Sequence, residues 1–191
     1  MMRVFIFLFS MLFFLSSIGD SSAASRKRGE WLYEKYCMSC HGEDGAGTPY
    51  GKELTPPVRD IRPNYLLTTE EITFVIRYGL FKRELLGKGE TFTGGDIKDL
   101  LRYIREFRYT SDARRGRRLY RRLCTICHGR DGTGDRNFVT PDLTRSRVSD
   151  FGIARIIRQG RHDTSLLKNR RRLYNTEIAD IVTYLISLRE G

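Results

Sequence analysis

Cys37-Met38-Ser39-Cys40-His41 and Cys124-Thr125-Ile126-Cys127-His128 are the two stretches around which the chain is organised. Each spells C-x-x-C-H. The chain has 191 residues, four cysteines and three histidines, so the two pentapeptides take up every cysteine and leave only His162 uncommitted. The shift of 87 positions between them also carries Arg28-Gly29-Glu30-Trp31-Leu32-Tyr33 onto Arg115-Gly116-Arg117-Arg118-Leu119-Tyr120. Self-similarity at this spacing signals a duplicated domain.

C-x-x-C-H is the pattern of covalent c-type haem attachment. Two thiols three positions apart on one helical turn can each bond one vinyl group of a single haem, and the histidine behind them can reach the iron. Without its histidine the pattern is ambiguous, because thioredoxin-like redox pairs and zinc sites use C-x-x-C as well. A zinc site built from the four cysteines is the alternative. The histidine after both copies favours two covalently bound haem c groups, held by Cys37, Cys40, Cys124 and Cys127.

Working outward, each motif runs into a glycine loop, His41-Gly42-Glu43-Asp44-Gly45-Ala46-Gly47 and His128-Gly129-Arg130-Asp131-Gly132-Thr133-Gly134. Such loops fit neither a regular helix nor a strand. The segments Thr55-Pro56-Pro57 and Thr140-Pro141-Asp142-Leu143 follow. The first copy is longer by six residues between its histidine and the next helix-ending glycine, Gly79 against Gly160, and the excess is placed near Ile61 to Leu67. A helix capped at Thr68-Thr69-Glu70-Glu71 is predicted, with a partner entered at Ser149-Asp150. The last helix of each half is predicted from Asp96 and from Glu177. There Ile97, Leu100, Leu101 and Ile104, and Ile178, Ile181, Val182 and Leu185, recur at three and four residues and form one apolar face. Tyr103 and Tyr184 are equivalent core residues expected to pack on Gly29 and Gly116, where the first helix crosses the last.

The N-terminus reads differently. Arg3 is a basic start, Val4 to Leu15 is almost unbroken apolar sequence, and Ser22-Ala23-Ala24 offers small residues for cleavage, the pattern of a secretory signal peptide. An uncleaved anchor is the alternative, although the run is short of the ~20 residues needed to span a bilayer. The expected organisation is a signal peptide over 1–24, a first domain over 25–108, a linker over 109–112 and a second domain over 113–191. So short a linker implies that the halves lie against each other, with the haems close enough to exchange electrons. Export to a periplasm fits both the signal and the chemistry. The formal net charge is +11. It suggests a redox partner with an acidic docking surface, or association with a membrane surface; a generally basic, solvated exterior is the bland reading. No nucleic-acid recognition motif is present, and no small-molecule substrate is indicated.

The order helix, C-x-x-C-H-G, glycine loop, helix, glycine, variable loop and amphipathic helix resembles the class I cytochrome c domain, twice over. The whole is similar to tandem dihaem cytochromes of the cytochrome c4 group. The resemblance implies an all-α fold of two haem-binding helical domains, thioethers at the four cysteines, His41 and His128 as proximal iron ligands, and a function in electron transfer.

One departure matters. The resembling domains take a methionine before the last helix as second iron ligand, yet the methionines here are Met1, Met2, Met11 and Met38. Three fall within the expected signal peptide, and Met38 sits between two thioether cysteines. Leu85-Leu86 and Leu166-Leu167 stand where the methionine belongs. His162, just past Gly160, is the candidate sixth ligand of the second haem. Its counterpart is Phe81, so the first haem is left with Lys82 or Lys88, a ligand from another chain, or an open position. An electron carrier is the expected function; a haem enzyme or gas sensor using the first haem is the alternative.

Overall fold

The computed structural model describes residues 18–79, 92–134, 140–159 and 173–189, and among these all regular structure is helical. In the first half, helices α1 (Ile18–Tyr36), α2 (Met38–His41) and α3 (Pro49–Glu53) precede a 3-10 helix (Arg62–Leu66), α4 (Thr69–Tyr78) and α5 (Gly94–Ile104). The second half contributes α6 (Ala113–Leu123), α7 (Thr125–His128), α8 (Asp150–Gln159) and α9 (Asn175–Ser187). His162, Lys82, Lys88, the two Leu-Leu pairs and most of the expected signal peptide lie outside the described residues. Helix α1 starts at Ile18, ahead of the boundary expected at residue 25.

Each half is built on a crossing of its first helix over its last, α1 on α5 and α6 on α9. The repeated glycines allow it, as expected. A β-carbon at Gly29 would run into the Asp99 carbonyl, 2.6 Å from its carbon and 3.1 Å from the Tyr103 β-carbon. At Gly116 the same atoms belong to Asp180 and Tyr184, at 2.5 and 3.0 Å. Around these crossings Leu32, Tyr33, Ile72, Leu100 and Ile104 form one core. Leu119, Tyr120, Ile153, Ala154, Ile178, Ile181, Val182, Tyr184 and Leu185 belong to the other.

Two expectations move. The last helices begin two residues earlier than Asp96 and Glu177, because these acids are third-position caps rather than first residues. The Asp96 carboxylate accepts the Thr93 backbone N–H at 3.0 Å while the Thr93 hydroxyl accepts the Asp96 N–H at 3.1 Å, a reciprocal capping box. Glu177 likewise accepts the Tyr174 N–H at 2.9 Å. The six extra residues of the first half also sit elsewhere. Ile61 N–H bonds the Gly45 carbonyl and Leu143 N–H bonds that of Gly132, so these pairs are equivalent points of the two loops. They enclose sixteen positions in the first half against eleven in the second, which puts five of the six before Ile61, in the segment containing α3.

The halves are joined by more than a linker. Leu66, in the first half, is 1% exposed and belongs to the second half's core. Burying such a side chain contributes about 1.5–3 kcal/mol. Its turn is strapped from its own side: Asn64 donates to the Ile104 carbonyl at 2.7 Å and Arg105 to that of Leu67 at 3.0 Å. From the other side Arg158 donates to the Leu66 carbonyl at 3.0 Å and pairs with Glu71 at 3.7 Å.

The joint itself centres on Asp180, which has 0% exposure. Its carboxylate accepts the Asp112 N–H at 2.8 Å and the Tyr109 hydroxyl at 3.2 Å, and forms an ion pair with Arg115. Arg115 also donates to the Tyr109 oxygen at 3.1 Å. Arg62 of the first half lies over the Tyr109 ring, 5.6 Å from its centroid. A cation over an aromatic face is attracted by the ring quadrupole, so this contact ties the first half to the linker.

Candidate haem-attachment sites

Both C-x-x-C-H segments are continuations of a helix that has been made to turn. In the first, Cys37 N–H still bonds the Tyr33 carbonyl at 2.8 Å, after which one separate turn follows, closed by His41 N–H to the Cys37 carbonyl at 2.8 Å. In the second the equivalent bonds are Cys124 to Tyr120 at 2.8 Å and His128 to Cys124 at 3.0 Å. Both thiols of each pair and the histidine thus lie on one turn. Gly42 and Gly129 then take φ of 77° and 74°, left-handed values that stop the helix at the histidine. The chain folds back through Gly47 N–H to the His41 carbonyl at 2.7 Å and Gly134 N–H to the His128 carbonyl at 3.1 Å.

A tyrosine fixes each of these loops. The Tyr33 hydroxyl donates to the Gly42 carbonyl at 2.6 Å, and Tyr120 to that of Gly129 at 2.8 Å. Sequence reading noted these tyrosines only as part of the repeated segment and did not see this bond. The signal was there, since an aromatic four residues ahead of the first cysteine occurs in both copies. Burial pushes both phenols well above the ordinary tyrosine pKa, so they remain donors at neutral pH.

None of the four cysteines is in a disulfide, and all are partly buried. Burial, with the neighbouring Cys40 second, pushes the Cys37 thiol up to about 12. A thioredoxin-like attacking cysteine needs the opposite shift. Among the described residues no three His, Cys, Asp or Glu side chains are gathered to hold a metal ion, so the four cysteines do not form a shared zinc site. His41 is partly buried, its pKa lowered by desolvation while the Arg59 backbone opposes the shift. Its Nδ1 is a buried atom without a hydrogen-bond partner. His128 is buried at the same point of the second half. Two thiols and an imidazole on one turn are the donor set that a covalently attached haem requires. Met38, between the cysteines, is exposed.

A family profile described as cytochrome C oxidase, cbb3-type, subunit III matches the chain twice, over residues 24–104 and 111–185. The chain belongs to that family. It is a tandem cytochrome c of class I type, all-helical among the described residues, and cytochrome c domains are the kind to which haem c is covalently bound. Among similar proteins, the cbb3-type cytochrome c oxidase subunit FixP of Bradyrhizobium diazoefficiens is 26% identical over 136 residues, 64% of this chain. The cytochrome spans 46% of that relative's length. Among solved structures, a chain of the reducing HAO-like protein complex of Kuenenia stuttgartiensis covers 84% of this cytochrome and 95% of that chain, with 19% identity and a TM-score of 0.32.

Proposed function

We propose that this cytochrome is an exported, periplasmic electron-transfer protein or subunit that carries two haem c groups and passes electrons between protein partners. Cys37, Cys40 and His41 would hold one group and Cys124, Cys127 and His128 the other, in units spanning 25–108 and 113–191 and joined by 109–112. When bound, haem supplies a one-electron couple within the iron porphyrin. The chain supplies attachment, an axial imidazole and a fixed relation between the halves. The observation that carries this reading is the histidine that ends each thiol-bearing turn with its Nδ1 atom buried. The likeness to an oxidase subunit supports delivery of electrons to a terminal oxidase. Mass spectrometry of the denatured protein tests the cofactor: the expected mass exceeds that of the processed polypeptide by two haem groups. Colourless material of polypeptide mass would refute the assignment.

The sixth iron positions follow from the sequence. His162 is proposed as the second haem's distal ligand, and Lys82 or Lys88, another chain's ligand, or an open position serves the first. Nitrogen ligation lowers haem potential relative to methionine. The expected result of His162→Ala is a changed low-spin spectrum at one haem and carbon monoxide binding there after reduction. An unchanged spectrum removes His162 from the site. Rapid, stoichiometric carbon monoxide binding at the first haem of the unaltered protein would instead favour the haem enzyme or gas-sensor reading over a closed electron carrier.

A further inference from the structure

Helix α6 has two incompatible faces. Gly116, Leu119 and Tyr120 are buried against α9, while Arg114, Arg117, Arg118 and Arg121 are exposed and recur at three and four residues along the opposite side. The helix contains no acidic residue. Among the described residues none of these four arginines forms a side-chain ion pair. Like charges at this spacing repel and weaken a helix, a cost offset only in part by the pull of Arg114 and Arg118 on the Asp112 cap and by the place of Arg121 in the last turn.

The duplicated half shows that the fold does not require it. Positions Arg117 and Arg121 correspond to Glu30 and Glu34 on α1, and there Glu30 pairs with Arg26 at 3.1 Å. The ridge also has a place. α6 runs directly into Cys124, and the Thr125 hydroxyl bonds the Arg121 carbonyl at 2.9 Å, so the arginines abut the second attachment turn.

We propose that the ridge of Arg114, Arg117, Arg118 and Arg121 is a docking surface for an acidic protein, which exchanges electrons with the chain through its second half. The proposal rests on the electron-transfer reading above. Guanidinium forks match carboxylates bidentately and so fix orientation as well as attraction, which electron exchange between two proteins needs. An anionic bilayer is the less suitable occupant, because every apolar residue of α6 except Ala113 lies toward the core and none is offered for insertion.

The test uses the haem-loaded chain and reduced flavodoxin, an acidic flavoprotein, as reductant. The second-order rate constant should fall as salt rises. Arg117→Gln/Arg118→Gln/Arg121→Gln should lower it about tenfold at low ionic strength. Lys52→Gln/Arg77→Gln/Lys98→Gln, exposed positions with the same total charge change, should lower it less than about twofold. Equal losses in the two variants would show that net charge alone matters and overturn the proposal. It is also overturned if the ridge variant alone detaches from phosphatidylglycerol vesicles while its flavodoxin rate is unchanged. Dithionite should reduce both haems in every variant; if it does not, the electron-transfer reading itself fails.

Discussion

Replacing Gly116 by alanine should lower the unfolding temperature of the haem-loaded protein by about 5–10 °C. Alanine is normally the better helix former by about 1 kcal/mol, so the sign must come from the crossing. The added methyl would lie 2.5 Å from the Asp180 carbonyl carbon and 3.0 Å from the Tyr184 β-carbon. Both belong to rigid parts of α9, and neither can rotate away. The helices must separate, which strips contact from Leu119, Tyr120 and Ile181 at once. About 3 kcal/mol, the upper end of the overpacking range, outweighs the propensity gain. Gly29→Ala should behave alike in the first half, where Asp99 and Tyr103 occupy the same positions. Gly94→Ala is the control, since nothing lies within 4 Å of its added carbon, and it should be neutral or slightly stabilising. A thermal melt of the three variants decides; equal behaviour of Gly94 and Gly116 would dismiss the close crossing.

Asp180→Ala should cost about 3 kcal/mol, the scale of breaking a buried pair by removing one partner. The carboxylate is fully buried and gathers an N–H, a phenol and a guanidinium from the segment that joins the halves. Asp180→Asn keeps an acceptor for Asp112 but turns a donor toward Arg115, so it should recover only part of the loss. Tyr109→Phe removes one hydrogen bond and should cost about 1 kcal/mol. Denaturant melts of the single and double variants measure the coupling. The network also has a pH signature. Desolvation first, and then the Asp180 charge, pushes the Tyr109 phenol up to about 12. Its folded value is raised, so its contribution is fully present below the ordinary tyrosine value of about 10 and is lost as pH rises through 10 to 12. Tyr109→Phe should flatten that part of the stability curve.

These two residues mark where sequence reading succeeds and stops. Gly116 was legible because the chain repeats itself: a glycine kept at the same distance from two haem motifs needs a common cause, and close helix approach supplies it. The attachment turns were legible for the same reason. Asp180 was not, because its partners lie about seventy positions away and an acid on an amphipathic helix ordinarily reads as solvated. Leu66 hid in the same manner, as an apolar residue near a proline with no periodic context. Asp96 and Glu177 misled by two residues because an acid that closes a cap resembles one that opens a helix. The loop excess was misplaced because only the Gly45–Ile61 and Gly132–Leu143 bonds align the two halves.

Leu66 also makes the two halves unequal. The residue that completes the second half's interior is made more than forty positions before α6 begins. A chain cut at residue 108 and expressed from there onward would possess every helix of its half and still lack a stone from its wall. The twin copies, although descended from one pattern, are therefore no longer interchangeable.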